Sequence, residues 1–151
     1  MSAERESSLD RFRKLTEDMK AKVHADAVDE LNNQAKTLAD AIQSVAPIYE
    51  GPPVAGVEPG ALKTSVNVRP DPSGKDTVVR VVAGGYLTLR TKGGPAFDYA
   101  RADEFGTQKM PAKPFFFPTY RLMKKKVIAQ MKRRIAKRIK QYSAEPGASS
   151  V

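Results

Sequence analysis

Residues able to do acid–base or metal chemistry are scarce in this sequence. His24 is the single histidine, and the chain has no cysteine, which excludes disulfides, thiolate metal sites and cysteine nucleophiles. His24 lies among charged residues of a helical pattern, which is typical of an ordinary surface or half-buried side chain. We therefore expect no histidine-based catalysis.

The carboxylates are not grouped in a way that indicates a catalytic or metal site. Asp26, Asp29 and Glu30 have the spacing of a solvated helix face. Asp103 and Glu104 are adjacent, and neighbours in sequence rarely share a catalytic site. We predict that the chain is not an enzyme and that it uses no metal or cofactor.

Positive charge is concentrated in the C-terminal third. The chain has 151 residues and a net charge of +9. Residues 1–50 hold ten acids and seven bases, whereas residues 105–144 hold twelve bases and no acid. This distribution indicates an acidic partner.

No apolar run approaches the roughly 20 residues of a membrane-spanning helix, and the N-terminus lacks the apolar centre of a secretory signal, so we expect no membrane contact.

One long amphipathic helix, or two nearly continuous ones, is predicted over residues 8–46. The apolar residues recur at steps of three or four and once of five, Ser8 is the predicted N-cap, and Pro47 ends the pattern. About 37 helical residues span about 55 Å. A helix of that length is expected to project or to pack against a neighbouring subunit. Residues 1–7 before it are expected to be disordered.

A second amphipathic helix is predicted over residues 119–142. Apolar side chains recur at every fourth position from Met123 to Ile139, and the other faces are almost wholly basic. The tail at 143–151 has the composition of a disordered end.

A small antiparallel sheet is predicted over residues 61–90. Alternation over 63–70, a DPSG turn at 71–74 and β-branched residues over 77–83 indicate a hairpin. A third strand is predicted to start at Gly85 or Tyr86 and to end at Leu89.

The remaining segments are predicted as loops and one short element. Residues 97–105 fit either a strand or a short helix, and helix over 97–104 is favoured. The proline- and glycine-rich residues 47–60 indicate an irregular loop, and residues 92–95 a turn. The glycine pairs at 84–85 and 93–94 lack the strand-to-helix pattern of a phosphate loop and are taken as turns. The whole is predicted to be a single α+β domain over 8–142.

Two segments of the chain resemble one known family. Ala46-Pro47 followed by residues 60–66 (GALKTSV) resembles an alanine-proline, then threonine-glycine-x-leucine-arginine-x-serine-isoleucine signature. Residues 99–107 (YARADEFGT) and 110–118 (MPAKPFFFP) are similar to a tyrosine-alanine, glutamate-phenylalanine-glycine-threonine, proline-alanine-x-proline-phenylalanine block. Both belong to the neck or tail-completion proteins of long-tailed bacteriophages, often described as minor tail components.

The second block also makes physical sense. Gly106 can supply the permissive backbone needed to leave the preceding element, and Pro111, Pro114 and Pro118 would stiffen an extended segment. The three phenylalanines at 115–117 would then anchor that segment in the core or at a subunit contact.

The resemblance implies a structural protein of the virion. It implies an α+β fold in which a small antiparallel sheet packs against the long N-terminal helix and the basic C-terminal helix. Copies would form a closed ring, six- or twelve-fold, that joins head-closure or adaptor proteins to the tail-terminator or tail-tube proteins and continues the DNA channel. Assembly would take place in the bacterial host cytoplasm. The predicted subunit or ring interface comprises Glu104, Phe105, Gly106, Thr107, Pro111, Pro114, Phe115, Phe116 and Phe117.

The basic C-terminal helix admits two partners. It could contact passing double-stranded DNA without reading its sequence, or it could dock on an acidic protein neighbour. A free, sequence-independent nucleic-acid-binding protein is the alternative function. The residues predicted for either contact are Lys124, Lys125, Arg133, Arg134, Lys137 and Arg138.

Overall fold

The fold combines two long helices with two short strand pairs. The structure, a computed structural model, describes residues 7–50, 58–90 and 96–144. The elements in chain order are α1 (Ser8–Val45), α2 (Ala61–Ser65), β1 (Asn67–Pro70), β2 (Val79–Val82), β3 (Leu89–Arg90), β4 (Phe97–Asp98), α3 (Tyr99–Phe105) and α4 (Phe116–Ala144). The α+β prediction is confirmed. Predictions for residues 1–6, 51–57, 91–95 and 145–151 lie outside the described ranges.

The N-cap of helix α1 differs by one residue from the predicted N-cap. Ser7, and not Ser8, is the N-cap: its Oγ accepts a hydrogen bond from the Asp10 amide at 3.2 Å and donates one to Asp10 Oδ2 at 2.6 Å. The prediction of disorder through residue 7 is therefore wrong at its last position, because both the side chain and the backbone carbonyl of this serine accept from the first turn of α1. The helix ends at Val45, one residue short of the predicted end at 46, and Ala46 is its C-cap immediately before Pro47.

The hydrophobic core lies at the C-terminal end of α1. Ile42 and Val66 are fully buried, and Leu62 and Phe115 nearly so. Each such side chain contributes about 1.5–3 kcal/mol by leaving water. Gln43 reinforces the contact by donating from Nε2 to the Val66 carbonyl at 2.8 Å.

The predicted hairpin is present but its first strand is shorter. Strands β1 and β2 pair antiparallel, with Asn67 opposite Val82 and Pro70 opposite Val79. The residues before Val66 form helix α2 instead of strand, so the predicted alternation from residue 63 is wrong there. Ser65 explains the change, since its buried Oγ donates to the Leu62 carbonyl at 2.7 Å and accepts from the Gly84 amide at 3.0 Å.

The segment after the hairpin combines both alternatives left open for residues 97–105. Residues 97–98 form β4, which pairs antiparallel with β3, and α3 follows at once. Asp98 caps α3 by accepting from the Ala100 amide at 3.0 Å, and the same oxygen accepts from buried Thr88 Oγ1 at 2.6 Å. Residues 85–88 are a turn, so the predicted third strand is reduced to Leu89 and Arg90.

Helix α4 is longer than predicted at both ends. It begins at Phe116, three residues before the expected start, because Pro118 fits the first helical turn, where its missing N–H costs no helix bond. The prediction that Pro118 stiffens an extended segment is wrong for that reason. The helix runs to Ala144, so residues 143 and 144 are not a disordered tail.

Helices α1 and α4 run antiparallel. Arg134 contacts Glu30, Arg138 contacts Asp26, and Tyr142 near the end of α4 also reaches Asp26, at 2.7 Å. Residues 8–18 of α1 are all exposed, and they project about 16 Å beyond this pairing. No helix within the described ranges is long and apolar enough to cross a membrane.

Candidate interaction surface

Glu104 joins α3 to the first turn of α4. Its Oε2 accepts hydrogen bonds from the amides of Phe115 at 2.8 Å and Phe116 at 2.9 Å, and its Oε1 accepts from Phe117 at 3.0 Å. The first N–H groups of a helix have no partner within the helix, and the helix dipole favours an anion there. The buried carboxylate of Glu104 therefore caps α4 from a distant part of the chain.

The loop between α3 and α4 folds back on α3. Gly106 ends α3 with φ at 76°, and a Cβ at this position would lie 2.9 Å from the Ala112 amide nitrogen. Thr107 and Met110 then exchange backbone hydrogen bonds at 2.8 and 3.3 Å. The expectation that Gly106 supplies a permissive backbone is confirmed, and close approach of the returning chain adds a second requirement for glycine.

Asp103 faces the returning loop beside this cap. Its carbonyl accepts from the Lys113 amide at 2.6 Å. Burial raises the pKa of the Asp103 carboxyl, and the positive charge of Lys113 opposes that rise. Asp103 and Glu104 thus have separate environments, with one carboxylate facing the loop and the other the helix start.

Four phenylalanines form a chain of ring contacts from the core to the surface. Phe115 is in the core, its ring centroid is 6.5 Å from that of Phe116, and Phe116 lies 5.6 Å from Phe117. Phe117 in turn lies 5.9 Å from Phe105. Phe105 is 64% exposed and Phe117 43% exposed. We call Phe105, Phe116 and Phe117 the aromatic patch.

Two grooves border the aromatic patch, and Phe105 lines both. One, of about 280 Å³, runs beside Val81 and Val82 of β2. The other, of about 610 Å³, is bounded by Leu89 and Phe97 of the β3–β4 pair. The Phe105 side chain therefore projects between two concave surfaces, so that a partner protein can contact it from both sides.

The predicted interface block divides into an internal and an external part. Glu104, Gly106, Thr107 and Phe115 are used inside the chain, for capping, loop closure and core packing. Phe105, Pro111, Pro114 and Phe117 are exposed, as is Thr107 despite its role in the loop, and Phe116 is half-buried between the two groups. The internal group holds the external group in place.

Two of the six predicted basic contact residues already have acidic partners in the chain. Arg134 Nη1 lies 2.9 Å from Glu30 Oε2, and Arg138 Nε lies 3.5 Å from Asp26 Oδ2. Gln34 supports the first pair by donating to the other oxygen of Glu30 at 2.7 Å. The expectation that Asp26 and Glu30 belong to a solvated face is wrong, since Glu30 is buried and Asp26 half-buried.

The other four predicted basic residues lie on different sides of α4. Lys124 lies over the ring of Tyr120, 5.8 Å from its centroid, and Lys137 lines the cleft between α1 and α4. Lys125 and Arg133 are exposed on the side turned away from α1. The sequence signal for this division is the four-residue spacing of Arg134 and Arg138, which matches the spacing of Asp26 and Glu30 on α1.

His24 is a surface residue, as predicted. Its Nε2 lies 2.8 Å from Asp76 Oδ2, and this hydrogen bond is the main cause that lowers the pKa of the Asp76 carboxyl. The contact ties α1 to the turn before β2. Within the described ranges, no three His, Asp or Glu side chains converge as a metal site requires.

Comparison of the chain with protein-family models, curated proteins and solved structures gives no match. The geometry of the surface therefore has to carry the functional argument, together with the resemblance of the 99–118 block.

Proposed function

We propose that this chain is a structural protein of the head–tail junction of a long-tailed bacteriophage or phage-like particle. Copies form a closed ring between the head-closure or adaptor proteins and the tail-terminator or tail-tube proteins, and the ring continues the DNA channel. Its work is binding, with no bond made or broken. Assembly takes place in the host cytoplasm.

The exposed aromatic patch carries the proposal. A phenylalanine that is 64% exposed beside another that is 43% exposed is costly in water, and contact with a partner removes this cost. Aromatic residues are enriched at the cores of protein interfaces. The patch lies in the block that resembles the neck proteins, so the resemblance and the surface chemistry point to the same residues.

The occupant of the patch is a neighbouring copy of the chain. Contact between the patch of one copy and a different surface of the next is heterologous, and heterologous contacts that close produce a ring. Glu104 and the Phe115 anchor hold the patch on a fixed base, so ordering it on assembly costs little conformational entropy.

Quantitative mass spectrometry of intact particles tests the proposal. Copies of this chain are counted against the portal protein, and about six or twelve per particle are expected from ring symmetry. Absence from intact particles would overturn the structural role.

A variant series tests the patch separately. The Phe105→Ser and Phe117→Ser pair is expected to remove the chain from particles while the purified protein keeps its urea midpoint within the range of surface substitutions. Tyr86→Ser is the control, because Tyr86 is 83% exposed and lies outside the patch. Incorporation of the double variant at the normal copy number would reject the patch as the ring contact.

A further inference from the structure

The side of α4 turned away from α1 carries a second set of basic residues. By the helical period these positions are opposite the half-buried Met123, Val127 and Met131, which pack towards α1. All of them are exposed, and none has an ion-pair partner among the described residues. We call this set the outer basic face: Arg121, Lys125, Lys126, Lys132, Arg133 and Lys140.

The outer basic face is regular and rigid. Lys126, Arg133 and Lys140 recur every seven residues, which places them about 10.5 Å apart along one line of the helix. Lys125 and Lys132 repeat the same interval on an adjacent line. The whole face extends about 28 Å from Arg121 to Lys140.

The internal ion pairs fix which bases face outward. Arg134 and Arg138 are held on Glu30 and Asp26, so α4 cannot rotate about its axis without breaking both pairs. The outer face is thus a permanent feature of the fold, and its charges are not neutralised from within the described chain.

We infer that the outer basic face binds the phosphate backbone of double-stranded DNA without reading its sequence. The inference is independent of the ring proposal. Duplex DNA presents a negative charge about every 1.7 Å along its axis, which matches a row of cations better than scattered carboxylates do. Protein–DNA interfaces are strongly positive, whereas lysine is depleted from the cores of protein–protein interfaces.

The composition of the face favours contact with the phosphate backbone over other modes of nucleic-acid recognition. It contains no aromatic side chain on which the bases of a single strand could stack. It contains no asparagine or glutamine for pairing with adenine in the major groove. Leu122, Ala129 and Ala136 lie between the two lines of bases; Leu122 is 81% exposed, and the small side chains of the two alanines let the rest of the helix approach the phosphates.

Fluorescence anisotropy of the full chain with a labelled 30-base-pair duplex tests the inference across a salt series. If six phosphates are contacted, the logarithm of the binding constant should fall with the logarithm of salt at a slope of about −5, a loss of roughly a thousandfold between 50 and 200 mM. A scrambled duplex of equal length should bind equally well.

Two charge-matched variants locate the surface. The first changes Lys125, Lys132, Arg133 and Lys140 to glutamine, and the second changes Arg13, Lys14, Lys20 and Lys36 of α1, all exposed, to glutamine. The first should reduce the salt slope by about 3.5 and weaken binding at least tenfold more than the second. Circular dichroism confirms that both variants keep their helices.

Three outcomes would overturn the inference. Equal weakening by the two variants would assign the binding to net charge alone. Failure of the wild-type chain to bind the duplex at 50 mM salt would refute the inference that the outer basic face binds DNA. Equally tight binding of poly-glutamate at the same charge concentration would assign the face to an acidic protein partner.

Discussion

Arg134 donates from Nη1 to Glu30 Oε2 at 2.9 Å, and the two residues are 104 positions apart in the chain. The carboxylate is buried, whereas the arginine side chain is 62% exposed. This contact sets the register of α4 on α1 and turns the outer basic face to solvent. A single long-range pair thus affects both the fold and the surface.

Replacement of the arginine should destabilise the fold. We expect Arg134→Met to lower the free energy of unfolding by about 1–2 kcal/mol, because the buried Glu30 carboxyl group then has one hydrogen-bond donor fewer. The exposure of the arginine keeps the cost below that of a fully buried pair. Urea unfolding measures it. Arg133→Met, one residue away and without an acidic partner in the described chain, should cost no more than about 0.5 kcal/mol, and equal losses for both would contradict the assignment.

Loss of the Glu104 cap should be more costly. Glu104→Ala leaves three backbone amides at the start of α4 without their acceptor, and we expect a loss of about 2–3 kcal/mol in urea unfolding. Glu104→Gln should lose less, because it retains one acceptor oxygen. Glu17→Ala on the exposed part of α1 is the control. A Glu104→Ala protein as stable as that control would show that water replaces the carboxylate without cost.

Two glycines with similar φ angles differ in how closely the folded chain approaches them. Gly106 has φ at 76° and Gly74 has φ at 73°, but Gly106 also has ψ at 176°, a conformation open almost only to glycine, and of the two only Gly106 has backbone atoms where a Cβ would lie. Gly74→Ala should cost about 1–2 kcal/mol from the left-handed conformation alone. Gly106→Ala should cost about 1–3 kcal/mol more, because the loop must also shift. Thermal unfolding of both proteins measures the difference, and equal Tm losses would remove the crowding argument.

The pH dependence of stability should identify Asp103. Burial raises the pKa of this carboxyl above its ordinary value of 3.8, so the folded state holds the proton more tightly than the unfolded state does. The contribution of this carboxyl to the free energy of unfolding is complete below pH 3.8 and is lost as the pH rises through the raised pKa. Asp103→Asn should therefore gain stability relative to the wild type as the pH rises through this window, and then level off. Urea unfolding at several pH values measures the difference, and a constant difference would refute the raised pKa.

The sequence predicted the elements in which apolar side chains recur at a regular interval over a long stretch. Helices α1 and α4 and the hairpin turn after Pro70 are local properties, fixed by apolar spacing, caps and turn residues. The boundaries were less predictable. Ser65 belongs to α2 because its hydroxyl pairs with the Gly84 amide, and no pattern near residue 65 contains that partner.

The residues of the predicted interface were named as one block, but their division into internal and exposed residues was not predicted. Glu104 caps a helix that begins eleven residues later, and its role depends on a loop reversal at Gly106. Arg134 and Arg138 were predicted to contact a partner, and their ion pairs within the chain were not predicted because these pairs require the antiparallel register of α1 and α4. Such contacts depend on tertiary packing, which spacing within one helix does not reveal.

The two halves of α4 are fastened by different kinds of contact. Its first turn is held by three hydrogen bonds to the buried Glu104 carboxylate and by Phe115 in the core, whereas its distal half has only half-buried apolar residues and exposed arginines paired with α1. A pulling force would therefore peel the helix from its far end and stop at this first turn. The distal half would therefore be the first part of α4 to separate from α1 under load, while the first turn and the aromatic patch stayed in place.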